Sequence, residues 1–430
     1  MLGRIFIRPE LPVKLAGGLS DRYSLLIFRQ MQNRQSTLTN LRRRWAGLAL
    51  LSAGILWLGF QLLRPAWPAS LAWWWAFVAG VVLAYGLGVC WVKLDQNHRP
   101  GESTLLPVLG LGNNLTLFRG LVLSLLAGFL FLPRPAHGLL AWTPAILYTT
   151  LAVLDYLDGY VARVTNQATK LGEILDGVFD ALGLLIAVGL AVWYGQLPWW
   201  YLLVGLSRYL FSWGLWWRQG HGRPVYDLPP SRNRRLLAGF QMGFISVILW
   251  PLFSPPGTTL AGIIFAIPFL AGFWRDWLVV SGRIDPASAA YQVTRQKVLQ
   301  LTTGWLPLLL RGVVVTGSVQ FLWPIVLEPM ARRLLLAWPS APWPTLTADA
   351  LGLLAILTTL MLALGLLGRL AALGLLAPTS MTVLALGLHL QNGLLLAGTL
   401  AIMLLGSGYF SLWQPEEVLV RVKVGDRPKV

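Results

Sequence analysis

The chain has 430 residues, of which 56% are hydrophobic and only 12% charged. An ordinary soluble domain is about one quarter charged, so this composition excludes a globule coated with polar surface and points to a bilayer as solvent. The formal charge is +17, from 34 Lys and Arg against 17 Asp and Glu. These basic residues cluster between apolar stretches and no nucleic-acid motif accompanies them, so membrane lipids with anionic headgroups are the expected partner and nucleic acid is not.

Residues 1–45 form a basic arm that ends in Arg42, Arg43 and Arg44, expected to be solvated on the cytoplasmic side. The apolar run around Leu25 to Phe28 is too short for a signal peptide. A bilayer core needs about 20 apolar residues per helix, and stretches of that length predict spans near 46–63, 69–92, 115–133, 138–157, 172–194, 198–217, 236–253, 258–275, 304–327, 350–367, 370–388 and 393–411. The expected fold is all-α, a polytopic transmembrane helix bundle of about 12 spans. It divides into an N-terminal pair with its connection (46–104), a six-helix core (105–285), a four-helix C-terminal bundle (300–415) and a cytoplasmic tail (416–430), with the charged 275–300 loop as the main boundary. Tryptophans such as Trp73, Trp91, Trp199 and Trp217 fall near span ends, as interfacial belts do.

Lys and Arg concentrate in the arm, in 93–114, in 158–171, in 218–235 and in 275–300, whereas the alternate loops hold only Arg64 and Arg134. The positive-inside rule then places both termini and the 158–171 turn in the cytoplasm. Arg332 and Arg333 depart from that scheme, marking an interfacial helix or a differently counted span. Cys90 is the single cysteine, so no intramolecular disulfide forms, and His98, His137, His221 and His389 are not spaced as zinc ligands.

The chemistry concentrates in one stretch. Asp155, Asp158, Glu173, Asp176 and Asp180 lie at the ends of apolar spans, where an Asp at a helix centre costs about 2.5–3.5 kcal/mol. Asp155, Asp158, Gly159, Ala162 and Arg163 fall on one stripe of one helix, and Gly172, Asp176 and Asp180 step by four along the next. A short polar turn, Thr165 to Lys170, makes the two helices antiparallel neighbours, so the carboxylates face one another. Facing carboxylates repel unless cations sit among them. Oxygen ligands without His or Cys suit Mg²⁺ or Mn²⁺, and four are enough for two ions about 3.5–4 Å apart. An ion pathway through a transporter is the competing reading of intramembrane acids.

The motif Asp155-x2-Asp158-Gly159-x2-Ala162-Arg163-x8-Gly172-x3-Asp176-x3-Asp180 resembles the signature of the CDP-alcohol phosphotransferases, with no defining position departing from it. Asn113-x2-Thr116-x2-Arg119 resembles the motif that opens that family's core, Arg208 stands where members often carry arginine, and Arg234 or Arg235 stands where the family often has Gly-Lys in the loop that starts at Pro230 and Ser231. The similarity covers about residues 105–280. It implies an enzyme that moves a phosphate-linked group from a CDP-alcohol to a second alcohol and releases CMP. The donor would be CDP-diacylglycerol with a small polar alcohol acceptor, glycerol 3-phosphate or an inositol phosphate, or else a soluble CDP-alcohol with a lipid alcohol. Carried over by position, Asp155, Asp158 and Asp176 are metal ligands, and Asp180 completes a second metal site and serves as general base. Asn113, Thr116, Gly159, Ala162 and Arg163 hold the nucleotide. Arg119, Arg208, Arg234 and Arg235 are candidates for acceptor binding. Arg119 and Arg208 have the alternative of snorkelling or pairing with the aspartates, and the 218–235 loop has the alternative of ordinary positive-inside charge.

Residues 300–430 hold no catalytic set. Gly312, Gly317, Pro324 and Leu366 to Ala372 resemble DoxX-type four-helix membrane proteins, and the bundle is expected to serve packing, lipid access or assembly of a homodimer.

Overall fold

The structure is a computed structural model that describes residues 17–135, 138–164, 168–229, 232–327 and 344–415, with side chains from Met31 onward except those of Tyr160, Arg232 and residues 344–348 and the two named below. Parts of the arm, Thr165 to Gln167 of the polar turn, His137, Pro230, Ser231, Arg332, Arg333 and the 416–430 tail lie outside the described residues. So do the side chains of Ala162 and Arg163, although both residues are helical.

The described chain is all-α. In order come α1 (Gly17–Leu63), α2 (Ala69–Val92), α3 (Gly110–Ala127), α4 (Gly138–Val164), α5 (Lys170–Trp193), α6 (Leu202–Gly220), α7 (Arg232–Ile248) and α8 (Gly257–Val280). There follow α9 (Ala289–Leu327), α10 (Pro344–Leu364), α11 (Gly368–Leu386) and α12 (Leu390–Leu405). A helix therefore stands at each expected span. Seven of them (α1, α2, α4, α5, α8, α9 and α11) are long and apolar enough to cross a membrane. Large apolar side chains such as Leu50, Leu62, Phe77, Leu139, Ile267 and Leu373 remain exposed on these helices, the surface expected where lipid is the solvent. The protein is a polytopic helical bundle.

Two expectations about helix ends are corrected. Residues 17–45 of the arm are helical and run without a break into the first span as α1. The 275–300 segment is mostly helix rather than loop: α8 continues to Val280, and α9 starts at Ala289 behind the Ser288 cap. The charges there read as a loop signal, but the buried one, Asp276, is compensated. Buried Asp276 lies 3.3 Å from Arg234 Nε and 3.1 Å from Arg275 Nη1, so an acid ends a helix without being stranded. Within α9 the helix widens at Leu301–Trp305 and Ser318–Leu322 into π turns.

The chain forms two compact units, one of Met1–Ser124 with Leu154–Phe179 and one of Leu125–Val153 with Asp180–Val430. In the first, α1 lies against α2, and Trp45 Nε1 donates to Leu87 O at 2.9 Å while its ring meets that of Trp91. The Phe179 ring lies on the backbone of α2 and α3: a methyl group at Gly86 or Gly120 would come within 2.8 Å and 2.5 Å of it. The glycines let a bulky ring fix the rotation of α5 about its own axis.

In the second unit, polar side chains close helix ends whose last carbonyls have no intrahelical partner. Gln196 Nε2 donates to Trp250 O and Phe253 O, at 3.1 Å and 3.3 Å, as well as to Ile248 O at the end of α7. Arg369 Nη1 donates at 2.8 Å to both Met403 O and Leu404 O at the end of α12. Arg311, buried in α9, donates to Leu362 O and Ala363 O at the end of α10 and to Ser407 O, Tyr409 O and Ser411 Oγ beyond α12, all between 2.9 and 3.1 Å. Around it Val314, Leu322, Ala355, Leu362, Ala371, Leu375 and Ile402 form an apolar core.

A candidate metal centre

The site lies in the first unit and is built from α3, the C-terminal half of α4 and the first turns of α5. Its frame is a set of buried amides and hydroxyls. Asn97, fully buried before α3, donates from Nδ2 to Leu106 O at 3.0 Å and Val108 O at 2.9 Å. Its Oδ1 accepts from Asn113 Nδ2 at 2.9 Å. Asn113 Oδ1 accepts from Thr169 Oγ1 at 2.9 Å, and Thr169 Oγ1 in turn accepts from Gly172 N at 3.0 Å, capping the start of α5. Lys170 N adds a bond to His98 O at 2.9 Å. The connection before α3 and the first turn of α5 are thus joined through one side chain, Asn113. Gly172 is required there, because a methyl group at that position would lie 2.6 Å from Asn113 Oδ1.

On this frame Asp155, Asp158 and Asp176 converge, with one oxygen of each within 4.8 Å of the others. Asp158 is buried, and Thr116 Oγ1 lies 3.3 Å from its Oδ2 and 3.0 Å from Gly112 O. Asp155 and Asp176 are more open, with side chains 31% and 46% exposed, so the cluster has a buried anchor and two reachable arms. The guanidinium of Arg119, only 3% exposed, stands among the three. Its Nη1 pairs with Asp155 Oδ1 and lies 3.2 Å from Asp158 Oδ2, and its Nη2 lies 2.6 Å from Asp176 Oδ1 and 3.4 Å from Asp176 O. Among the described side chains, the Arg119 guanidinium lies within ion-pair distance of all three carboxylates.

The donor set fits a hard divalent cation. It is oxygen only, it converges within a coordination sphere's width, and among the described side chains its three carboxylates outnumber the one guanidinium placed among them. Asp155, Asp158 and Asp176 are brought together as the spacing predicts. Asp180 sits half-buried one turn beyond Asp176 on α5 and is not one of the three whose oxygens converge. Gly159 is half-buried on α4. Thr116 lies at the cluster, whereas Asn113 is behind it with both ends of its amide engaged. Of the four arginines considered for an acceptor, Arg119 is among the aspartates and Arg234 is on Asp276, while Arg208 and Arg235 are exposed. Glu173 forms an exposed pair with Lys170 at 2.8 Å. Sequence reading missed Asn97 and Thr169, since nothing in the local pattern marks which buried amide or hydroxyl will meet Asn113.

A known protein family covers the segment that holds this cluster. The family model described as CDP-alcohol phosphatidyltransferase matches residues 109–277. A protein of Mycobacterium tuberculosis (strain ATCC 25618 / H37Rv) named as a cardiolipin synthase is 33% identical over 149 residues, which are 33% of this chain and 66% of that protein. Proteins named CDP-diacylglycerol--glycerol-3-phosphate 3-phosphatidyltransferase are similar over 92 residues, 20% of this chain and 47% of theirs. The one from Escherichia coli (strain K12) is 34% identical and the one from Salmonella choleraesuis (strain SC-B67) is 35% identical. The chain thus spans a little under two thirds of the mycobacterial relative and about half of the enterobacterial ones. No solved structure matches. The matched segment contains Asn113, Thr116, Arg119, the whole aspartate motif, Arg208, Arg234 and Arg235, and residues 109–277 of this chain are therefore a CDP-alcohol phosphatidyltransferase domain.

Proposed function

We propose that this protein is a membrane enzyme of phospholipid synthesis that transfers the phosphatidyl group of CDP-diacylglycerol to a small polar alcohol of the glycerol 3-phosphate class and releases CMP. The observation that carries this reading is the convergence of Asp155, Asp158 and Asp176 inside a domain that matches the family over its full motif. The relatives named for glycerol 3-phosphate and for cardiolipin synthesis support the choice of donor and acceptor class. The Lys- and Arg-rich connections on the site's side of the sequence support a cytoplasmic orientation.

Asp155, Asp158 and Asp176 would hold one Mg²⁺ or Mn²⁺, and Asp180, on the same face of α5, would complete a second site. Bound there, the ions would neutralise the diphosphate and the charge on the departing oxygen. Asp180 takes the proton from the acceptor hydroxyl as its oxygen attacks the phosphorus that bears the diacylglycerol. The new P–O bond forms as the bond to CMP breaks, and CMP leaves with the electron pair. Gly159, Ala162, Arg163 and Thr116 border the nucleotide. Asn113 acts by holding the α3 and α5 ends in register. Arg208, Arg234 and Arg235 supply positive charge for a phosphorylated acceptor.

The test is CMP release by purified protein, with and without Mg²⁺, across CDP-diacylglycerol and soluble CDP-alcohols paired with a panel of alcohols. Asp180→Asn is expected to lower turnover by about 100-fold or more while the melting temperature is kept. Turnover by that variant at the wild-type rate would remove Asp180 from the role of base. Wild-type protein that releases no CMP from CDP-diacylglycerol with any alcohol would refute the reading.

A further inference from the structure

We infer that Arg119 is a displaceable counter-cation: its guanidinium holds the three aspartates together, and a divalent ion entering the cluster drives it out. This rests on the proposed metal role of Asp155, Asp158 and Asp176.

The geometry makes the two cations exclusive. The guanidinium reaches Asp155 and Asp158 with one corner and Asp176 with the other, so it occupies the space where the three carboxylates converge. Mg²⁺ requires oxygen at about 2.0–2.1 Å in a near-octahedral shell. A guanidinium has five N–H donors and no acceptor, so it cannot join that shell. An ion bound by the same oxygens would also face a like charge at close range in a poorly solvated place. The burial of the partners indicates how the exchange runs. Asp158, buried and next to Thr116, stays as the anchor, while the more exposed Asp155 and Asp176 can release Arg119 and turn to the ion.

Arg119 is nearly buried, so once displaced it turns toward solvent until another anion arrives to pair with it. The phosphates of a CDP-alcohol are the anions due at this site, and a guanidinium binds phosphate in a two-point fashion. Exchange at Arg119 thus orders the events: the metal enters first, and its entry frees the group that greets the donor. It also explains how an acidic cluster at the end of apolar spans stays folded before an ion arrives.

Mn²⁺ binding to the full chain in detergent, read by electron paramagnetic resonance with no nucleotide present, tests the exchange. Arg119→Gln is expected to bind Mn²⁺ about tenfold more tightly than wild type, with Arg119→Lys between them. In a chelator Arg119→Gln should melt below wild type, and saturating Mn²⁺ should close that gap. Arg119→Gln that binds Mn²⁺ no more tightly than wild type would overturn the inference, because Arg119 would then position the ligands rather than compete with the ion. If no form binds Mn²⁺ while Arg119→Gln still melts lower, the metal reading itself falls, and the exchange with it. A measurement on the wild type covers a variant that does not fold. Labelling of Arg119 by phenylglyoxal, located by peptide mass spectrometry, should rise several-fold when Mn²⁺ is added, and unchanged or reduced labelling would overturn the exchange.

Discussion

Two buried arginines in this protein solve the same problem in opposite ways. Arg119 is surrounded by charges of the other sign, three carboxylates that outnumber it. Arg311 is surrounded by dipoles, four backbone carbonyls and a serine hydroxyl. A cation held by excess negative charge can be exchanged for another cation, because the cluster has as much need of charge as of shape. A cation held by carbonyls at helix ends cannot, because its N–H groups close carbonyls that no metal ion of fixed geometry would match. The region around Arg119 is therefore suited to chemistry, and the region around Arg311 to holding a bundle closed.

The comparison is broken most forcefully at Arg311. Arg311→Met should destabilise the second unit by about 3 kcal/mol, since several buried carbonyls lose their donor together. Thermal unfolding in detergent measures this, and CMP release below the melting temperature should stay near the wild-type rate. Loss of turnover in an Arg311→Met protein that melts like wild type would give Arg311 a chemical role and end the contrast.

Gly172→Ala sharpens the other side of the comparison. Its methyl group meets Asn113 Oδ1 at 2.6 Å, and overpacking of this kind costs about 1–3 kcal/mol. Because Asp176 lies one turn along the same helix, Mn²⁺ affinity should fall with stability, and Asn113→Ala in the same chain should restore part of both. A Gly172→Ala protein with wild-type melting and metal affinity would show that the frame gives way without disturbing the aspartates. The smallest effect is expected at Arg234. Its pair with Asp276 is half-exposed and Arg275 remains, so Arg234→Gln should cost less than about 1 kcal/mol. A raised KM for a phosphorylated acceptor with unchanged melting would place Arg234 at the acceptor.

Much of this was legible in the sequence, and the legible part is the periodic part. Apolar stretches of bilayer length located the helices, and steps of three and four located Asp155, Asp158 and Asp176 on facing stripes. Arg119 could be read two ways, because a lone arginine in an apolar helix gives the same pattern whether it meets an acid or a substrate. Only the fold shows it among the aspartates. Asn97 and Thr169 were invisible because their shared partner, Asn113, lies 16 and 56 residues away in the chain. The helical stretch around Asp276 reads as a loop in the sequence because charge counts as exposed until its neutralising partners are known.

Arg311 also bears on how the chain is assembled. Its hydrogen-bond acceptors are made much later, the first 51 residues downstream and the last 100. Until α10 and the Ser407–Ser411 segment emerge, the α9 span carries a full positive charge with no acid to match it, a burden of about 2.5–3.5 kcal/mol for an arginine at mid-membrane. That span should therefore linger near the insertion machinery or the headgroups during synthesis, and a chain arrested before Ser407 should leave it poorly settled. The closing turn after α12 is the last stitch, without which the bundle cannot be drawn tight.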